Sequence, residues 1–157
     1  MDNDVSAGST ATSTLGHLAL GLTLLAGLLE LHAGNSGNGT AFAGLGAFWF
    51  TWGTAVGGTA STEAAGLFLL VWSLLALTLT AAARGGGVLG QGVYGLLFLS
   101  LLLTGVGAFA DTAALGRIGG WTAALAGLGA WYGATAAVAK WPVPSRRAAG
   151  RGVTATG

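Results

Sequence analysis

The sequence predicts an all-α, polytopic membrane protein, a bundle of about five transmembrane helices. Three observations predict it. Charge is scarce: the 157 residues hold six Lys/Arg and five Asp/Glu, 7% charged against 53% hydrophobic, where a water-soluble domain carries about 25% charge. The mean hydropathy is +0.72. The charges are also spaced so that windows 64–83, 85–110 and 118–139 contain none. Each window is close to the ~20 residues a helix needs to cross a bilayer. Leucine-rich runs such as LFLLVWSLLALTLT lack the strict alternation a lipid-facing barrel strand would show, so helices are the reading.

Each element follows from local chemistry. Residues 1–14 are acidic and rich in Ser and Thr. They lack the basic segment that opens a secretory signal and are expected to form a polar tail. The transmembrane domain is expected over 15–140. Its first helix, 15–31, is the shortest and holds His17 and Glu30. The Gly/Asn-rich AGNSGNGTA reads as a turn, with Thr40 as the cap of a second helix over 41–56. GGTAST makes the next turn, and Ser61 or Thr62 caps a third helix over 63–83. There Glu63 suits the positive end of the helix dipole. Three consecutive glycines, 85–87, break the chain before a fourth helix over 88–109. Asp111 and Thr112 mark a loop, and a fifth helix spans 118–140 until Pro142 and Pro144 stop it. Residues 141–157 form a basic tail.

Lys140, Arg146, Arg147 and Arg151 place the C-terminus in the cytoplasm. Counting back puts the loops at Arg84 and at 33–40 inside, and Arg117 and the N-terminus outside, with the chain in the cell membrane. Trp141 and Trp121 read as interface anchors and Trp72 as a packing residue. The 30 glycines would weaken soluble helices but let membrane helices approach closely. Gly53 and Gly57, and Gly129 and Gly133 with Gly127 nearby, read either as intramolecular packing or as an oligomer seam.

Composition excludes several classes of chemistry. There is no cysteine and there are two histidines, so no thiol, disulfide or metal site is expected, and no cofactor has an evident ligand set. A net charge of +1 gives nucleic acid no electrostatic foothold. GNSGNG lacks the lysine of a phosphate-binding loop. Asn38-Gly39-Thr40 is a formal glycosylation sequon, expected to face the cytoplasm unused. No paired polar groups suit an intramembrane enzyme.

Glu30 is the residue that stands out, because an ionisable group near the bilayer is costly and usually faces a polar partner or cavity. Two readings stand: a solvated residue at a helix end, or a gate beside a solute path. The start of the second helix offers free N–H groups to an anion, and Thr40 would add a hydroxyl. The competing reading there is an ordinary turn. His17 reads as an interfacial residue. Gln91, Thr51, Thr54 and Thr104 read as helix-to-helix hydrogen-bonding or pore-lining groups.

The stretch AGLLELHAGNSGNGTAFAGLGAFWFT resembles the signature of the acetate uptake transporter family. Ala26, Gly27, Glu30, Gly34, Asn35, Thr40, Ala41, Phe42, Gly46, Phe48 and Trp49 fit its pattern. GGWTAALAGLGAWYGATA is similar to the family's last helix at Gly120, Trp121, Gly127, Ala130, Tyr132 and Ala134. The resemblance implies a six-helix protomer, a homohexameric ring with a pore in each protomer, and proton-coupled uptake (symport) of a small monocarboxylate anion. It implies a gating or coupling role for Glu30 and a substrate path along Asn35, Thr40, Leu45, Phe48, Trp49 and Leu97. Leu45 and Leu97 fall on the family's apolar constriction, Leu45 standing where the family usually has Tyr. The family opens with an NPAPLGL-type motif and a first transmembrane helix. This chain has neither, and its first helix lines up with the family's second. A membrane scaffold that packs and oligomerises without transporting is the alternative that this departure motivates.

Overall fold

The computed structural model of the protein describes residues 17–18, 21–56, 60–85 and 87–142. The polar N-terminal tail, the start of the first helix, Gly57, and the basic tail with Arg146, Arg147 and Arg151 lie outside the described residues. Those residues form five helices and no strand. In chain order they are α1 (Gly21–His32), α2 (Ser36–Thr51), a π-helical turn (Trp52–Val56), α3 (Thr62–Ala82), a 3-10 turn (Ala83–Gly85), α4 (Val88–Phe109) and α5 (Ala113–Ala139).

Small residues lie inside and large ones outside. Gly27, Gly39, Gly46, Gly66, Ala76, Gly105, Gly119, Ala126 and Ala136 are buried. Leu22, Leu29, Leu67, Val71, Leu74, Leu128, Trp131 and Val138 are exposed. Water would penalise that surface by roughly 25 cal/mol per Å² of apolar area; lipid does not. α3 and α4, with mean hydropathies of 2.1 and 1.9, are long and apolar enough to cross a membrane on their own. The fold is therefore an all-α membrane bundle.

Three helix ends close with a left-handed residue. α1 ends in a Schellman motif, in which an N–H beyond the helix reaches back to the last turn. Gly34 (φ 83°) lets Asn35 N–H donate to Glu30 O (2.9 Å) and Gly34 N–H to Leu31 O (3.1 Å). Asp111 (φ 48°) and Lys140 (φ 55°) do the same for α4 and α5, sending Thr112 N–H to Gly107 O and Trp141 N–H to Ala136 O.

Two helices start earlier than their sequences suggest. α2 begins at Ser36, not at 41, and Asn35 rather than Thr40 sits at its N-cap. The tight Gly34 turn uses up only Ala33 to Asn35, so the glycines that look like loop are the first turn of a helix. Gly39 is there for contact: a Cβ on it would lie 2.7 Å from the Leu31 backbone nitrogen. α5 begins at Ala113, not at 118, so Arg117 is on a helix rather than in a loop. The run 113–116 holds no proline and only one glycine, and Thr112 is extended (φ −116°, ψ 98°). Ser61 caps α3 as expected, accepting from Ala64 N–H at 3.2 Å.

Packing follows side-chain size. α4 lies along both α3 and α5, because Gly66 faces Gly105 and Gly119 faces Ser100 and Thr104. α1 lies against α2 through Gly27 at Ala43 and Gly46 at Leu24. α2 stands further from α3, since aromatic rings fill the space. Phe48 meets Trp52, Phe68 and Trp72 at centroid distances of 6.3, 5.5 and 5.6 Å. Leu69, Ala76 and Leu101 join Phe48 in the core. Trp72 is thus a packing residue. Gly129 and Gly133 turn to Val93 and Leu89 of the same chain, which makes them intramolecular contacts.

Candidate functional site

The arrangement of α2, α4 and α5 leaves a cleft of about 590 Å³. Its walls come from three helical stripes. α2 contributes Phe42, Leu45 and Trp49, at the i, i+3, i+7 spacing of one face. α4 contributes Leu89, Gly90, Val93, Tyr94 and Leu97. α5 contributes only Ala and Gly, among them Ala123, Gly127, Ala130 and Ala134. The cleft exists because large residues on two helices face a helix that offers no bulk in return. Its polar side-chain groups are the Tyr94 hydroxyl and the Trp49 indole N–H.

A second cavity of about 230 Å³ adjoins it. Gly37, Asn38, Leu79, Ala82 and Ala83 line this vestibule, together with Gly90 and Tyr94, which also line the cleft. The N-termini of α2 and α4 therefore meet at one end of the bundle, and the two helices run away from it in parallel. At 1.5 Å per residue, Leu45 and Leu97 each lie about 14 Å from that end. They reach comparable depth, near the middle of a hydrocarbon layer about 30 Å thick.

Glu30 and Asn35 form a separate polar pair beside this end. The Asn35 amide donates to a Glu30 carboxylate oxygen at 2.7 Å. Because the Asn35 backbone also bonds Glu30, the Schellman turn places the two side chains together. Asn35 is thereby spent on Glu30 and makes no side-chain cap for α2. Glu30 is half-buried and Asn35 exposed.

The sequence-derived path residues thus separate into three groups. Leu45, Trp49 and Leu97 share the cleft. Glu30 and Asn35 pair at the α1–α2 turn. Thr40 and Phe48 lie elsewhere. Thr40 lines a groove of about 440 Å³ against α1 and α3, with Leu31, Ala43, Trp72 and Leu75. Phe48 is buried among the aromatic rings. Thr54 bonds its own helix at Phe50 O (2.7 Å), and His17 meets Phe50 edge to face at 6.4 Å. Sequence reasoning missed Phe42, Asn38 and Tyr94 as lining residues. Phe42 was legible as one turn before Leu45. Asn38 and Tyr94 needed the meeting of two helix N-termini, which no local pattern shows. Among the described residues no group of His, Cys, Asp and Glu could hold a metal ion.

Comparison with known proteins agrees with the fold. The family model described as the GPR1/FUN34/yaaH family matches residues 4–142. The solved structure of the bacterial acetate channel SatP superposes with a TM-score of 0.69 at 27% sequence identity. That likeness covers 75% of this chain and 69% of the channel. No curated protein matches.

Proposed function

Because the chain belongs to the GPR1/FUN34/yaaH family, we propose that it carries acetate or a similar small monocarboxylate across the cell membrane. The observation that carries this reading is the cleft, with Leu45 and Leu97 on its walls at matching depth, in a fold like that of an acetate channel. A pore between apolar walls selects by size and by the cost of desolvation. The acetate methyl group is at home there, whereas stripping water from a lone carboxylate costs several kcal/mol or more. The neutral acid escapes that cost, so a proton travelling with the solute lowers the barrier.

Glu30 is the candidate for that coupling. As a carboxylate it holds Asn35 by a charge-assisted hydrogen bond, worth roughly 1.5–3 kcal/mol. As a neutral acid it would hold it by an ordinary one, roughly 0.5–1.5 kcal/mol. Taking up a proton would thus loosen the turn between α1 and α2 beside the vestibule. By the excess of basic residues after α5, a cytoplasmic vestibule is the orientation this reading adopts. Assembly into a homo-oligomer, a hexamer, is what the family resemblance implies.

The experiment is uptake of labelled acetate into proteoliposomes containing the purified chain. Uptake above that of empty liposomes, lowered by Glu30→Ala, supports the reading. Uptake equal to empty liposomes overturns it and leaves the packing-only scaffold.

A further inference from the structure

We infer that Asn38 and Tyr94 form a neck of neutral hydrogen-bond donors that receives a carboxylate as it passes from the vestibule into the cleft. The identity of the solute rests on the transport reading above; the neck itself rests on geometry. Tyr94 and Gly90 are the residues common to both cavities, so a solute moving between them passes these two. Gly90 lies one turn before Tyr94 on the same face of α4 and adds no bulk; a Cβ there would meet only Ala83, at 4.0 Å. The partition is therefore the Tyr94 ring and its hydroxyl.

The polar side chains around this passage are few. Asn38 and Tyr94 are the polar residues of the vestibule wall, and Tyr94 is the first the cleft offers. Neither side chain has a hydrogen-bond partner among the described residues. Several other polar side chains of the bundle are already engaged. Ser73, Thr78 and Thr80 bond their own helix backbones, Asn35 bonds Glu30, and Tyr132 donates to Pro142 O at 2.9 Å. These side chains are satisfied locally; the two at the neck are left with donors to offer.

A carboxylate leaving water needs donors, because an unpaired polar group in an apolar site costs more than a made hydrogen bond returns. An amide and a phenol meet that need without the fixed charge of Lys or Arg, which would hold an anion rather than pass it on. They favour a carboxylate over a solute of the same size without acceptors. The Trp49 indole N–H, deeper on α2, offers a further donor along the same wall.

The test uses the full chain in nanodiscs and in proteoliposomes. The chain has two tyrosines. Ring-labelled tyrosine therefore gives two sets of NMR signals, assigned by Tyr94→Phe, with Tyr132 as an internal control whose hydroxyl is engaged. Sodium acetate should shift the Tyr94 signals saturably, where sodium chloride at equal ionic strength does not, and should leave Tyr132 unmoved. Tyr94→Phe and Asn38→Ala should each raise the half-saturating acetate concentration for uptake about five- to tenfold, with the maximal rate retained. Normal uptake with no acetate-dependent shift at Tyr94 overturns the neck and leaves the transport reading intact. A saturable shift without uptake by the wild-type chain leaves the neck standing as a carboxylate site and overturns transport. Unchanged half-saturation in both variants also overturns the neck.

Discussion

Two faces of α5 are built from the same kind of residue and end in opposite surroundings. The face centred on Gly119 closes against α4, and Ala126, Gly129 and Gly133 sit at its border, where they also line the cleft. A Cβ on Gly119 would run into Thr104 and sit 3.0 Å from Ser100 O, and one on Gly129 would sit 3.0 Å from Val93. The neighbouring face carries Gly116, Gly120, Ala123, Gly127, Ala130 and Ala134. Added Cβ atoms on Gly116, Gly120 and Gly127 meet nothing within 4 Å. On the closed face smallness brings backbones together, as membrane packing requires. On the open face smallness keeps a space open. Composition is the same; what differs is whether the partner helix offers grooves, as α4 does, or large side chains, as α2 does with Phe42, Leu45 and Trp49.

That contrast can be broken by enlarging one face at a time. The largest effect belongs to Gly119→Leu, which forces bulk into a seam with backbone on its far side. Overpacking costs about 1–3 kcal/mol and occasionally more, so its melting temperature in detergent should fall sharply or the chain should fail to fold. Gly127→Leu should leave melting within the change of a surface substitution, about 0.5 kcal/mol, yet cut acetate uptake at least tenfold by filling the cleft. Glu30→Ala should lower uptake several-fold by freeing Asn35, and Glu30→Gln should recover part of it, since an amide oxygen can still accept from Asn35. Gly120→Ala is the smallest change. It lies on the open face but outside the cleft lining, and both melting and uptake should stay as in the wild type.

The sequence made some of this legible and hid the rest for physical reasons. The charge-free windows were enough for α3 and α4, because hydropathy acts on a helix as a whole. The Ser61 cap was legible because capping is local. The start of α2 was not. Ser36 to Gly39 looks like a turn until Gly34 is seen to close α1, and until Leu31 is seen to need the space at Gly39. The start of α5 is not legible because Arg117 marks the edge of the uncharged window, although one exposed arginine does not end a helix. At the site, Leu45, Trp49 and Leu97 came from the family resemblance and fall together in the cleft. Thr40 and Phe48 matched the same motif but serve the α1–α3 groove and the aromatic core. A linear motif records which residues a fold keeps, not which face of a helix each one occupies.

The absence of cysteine permits a direct test of the claim that the α2–α4–α5 cleft is a water-reachable solute path. Single Ala130→Cys and Ala136→Cys variants, one lining the cleft and one buried outside it, would be exposed in proteoliposomes to a small water-soluble thiol reagent. The cleft account predicts that Cys at 130 reacts, that acetate slows the reaction, and that Cys at 136 stays unreacted. No reaction at 130, or a reaction indifferent to acetate, would contradict it.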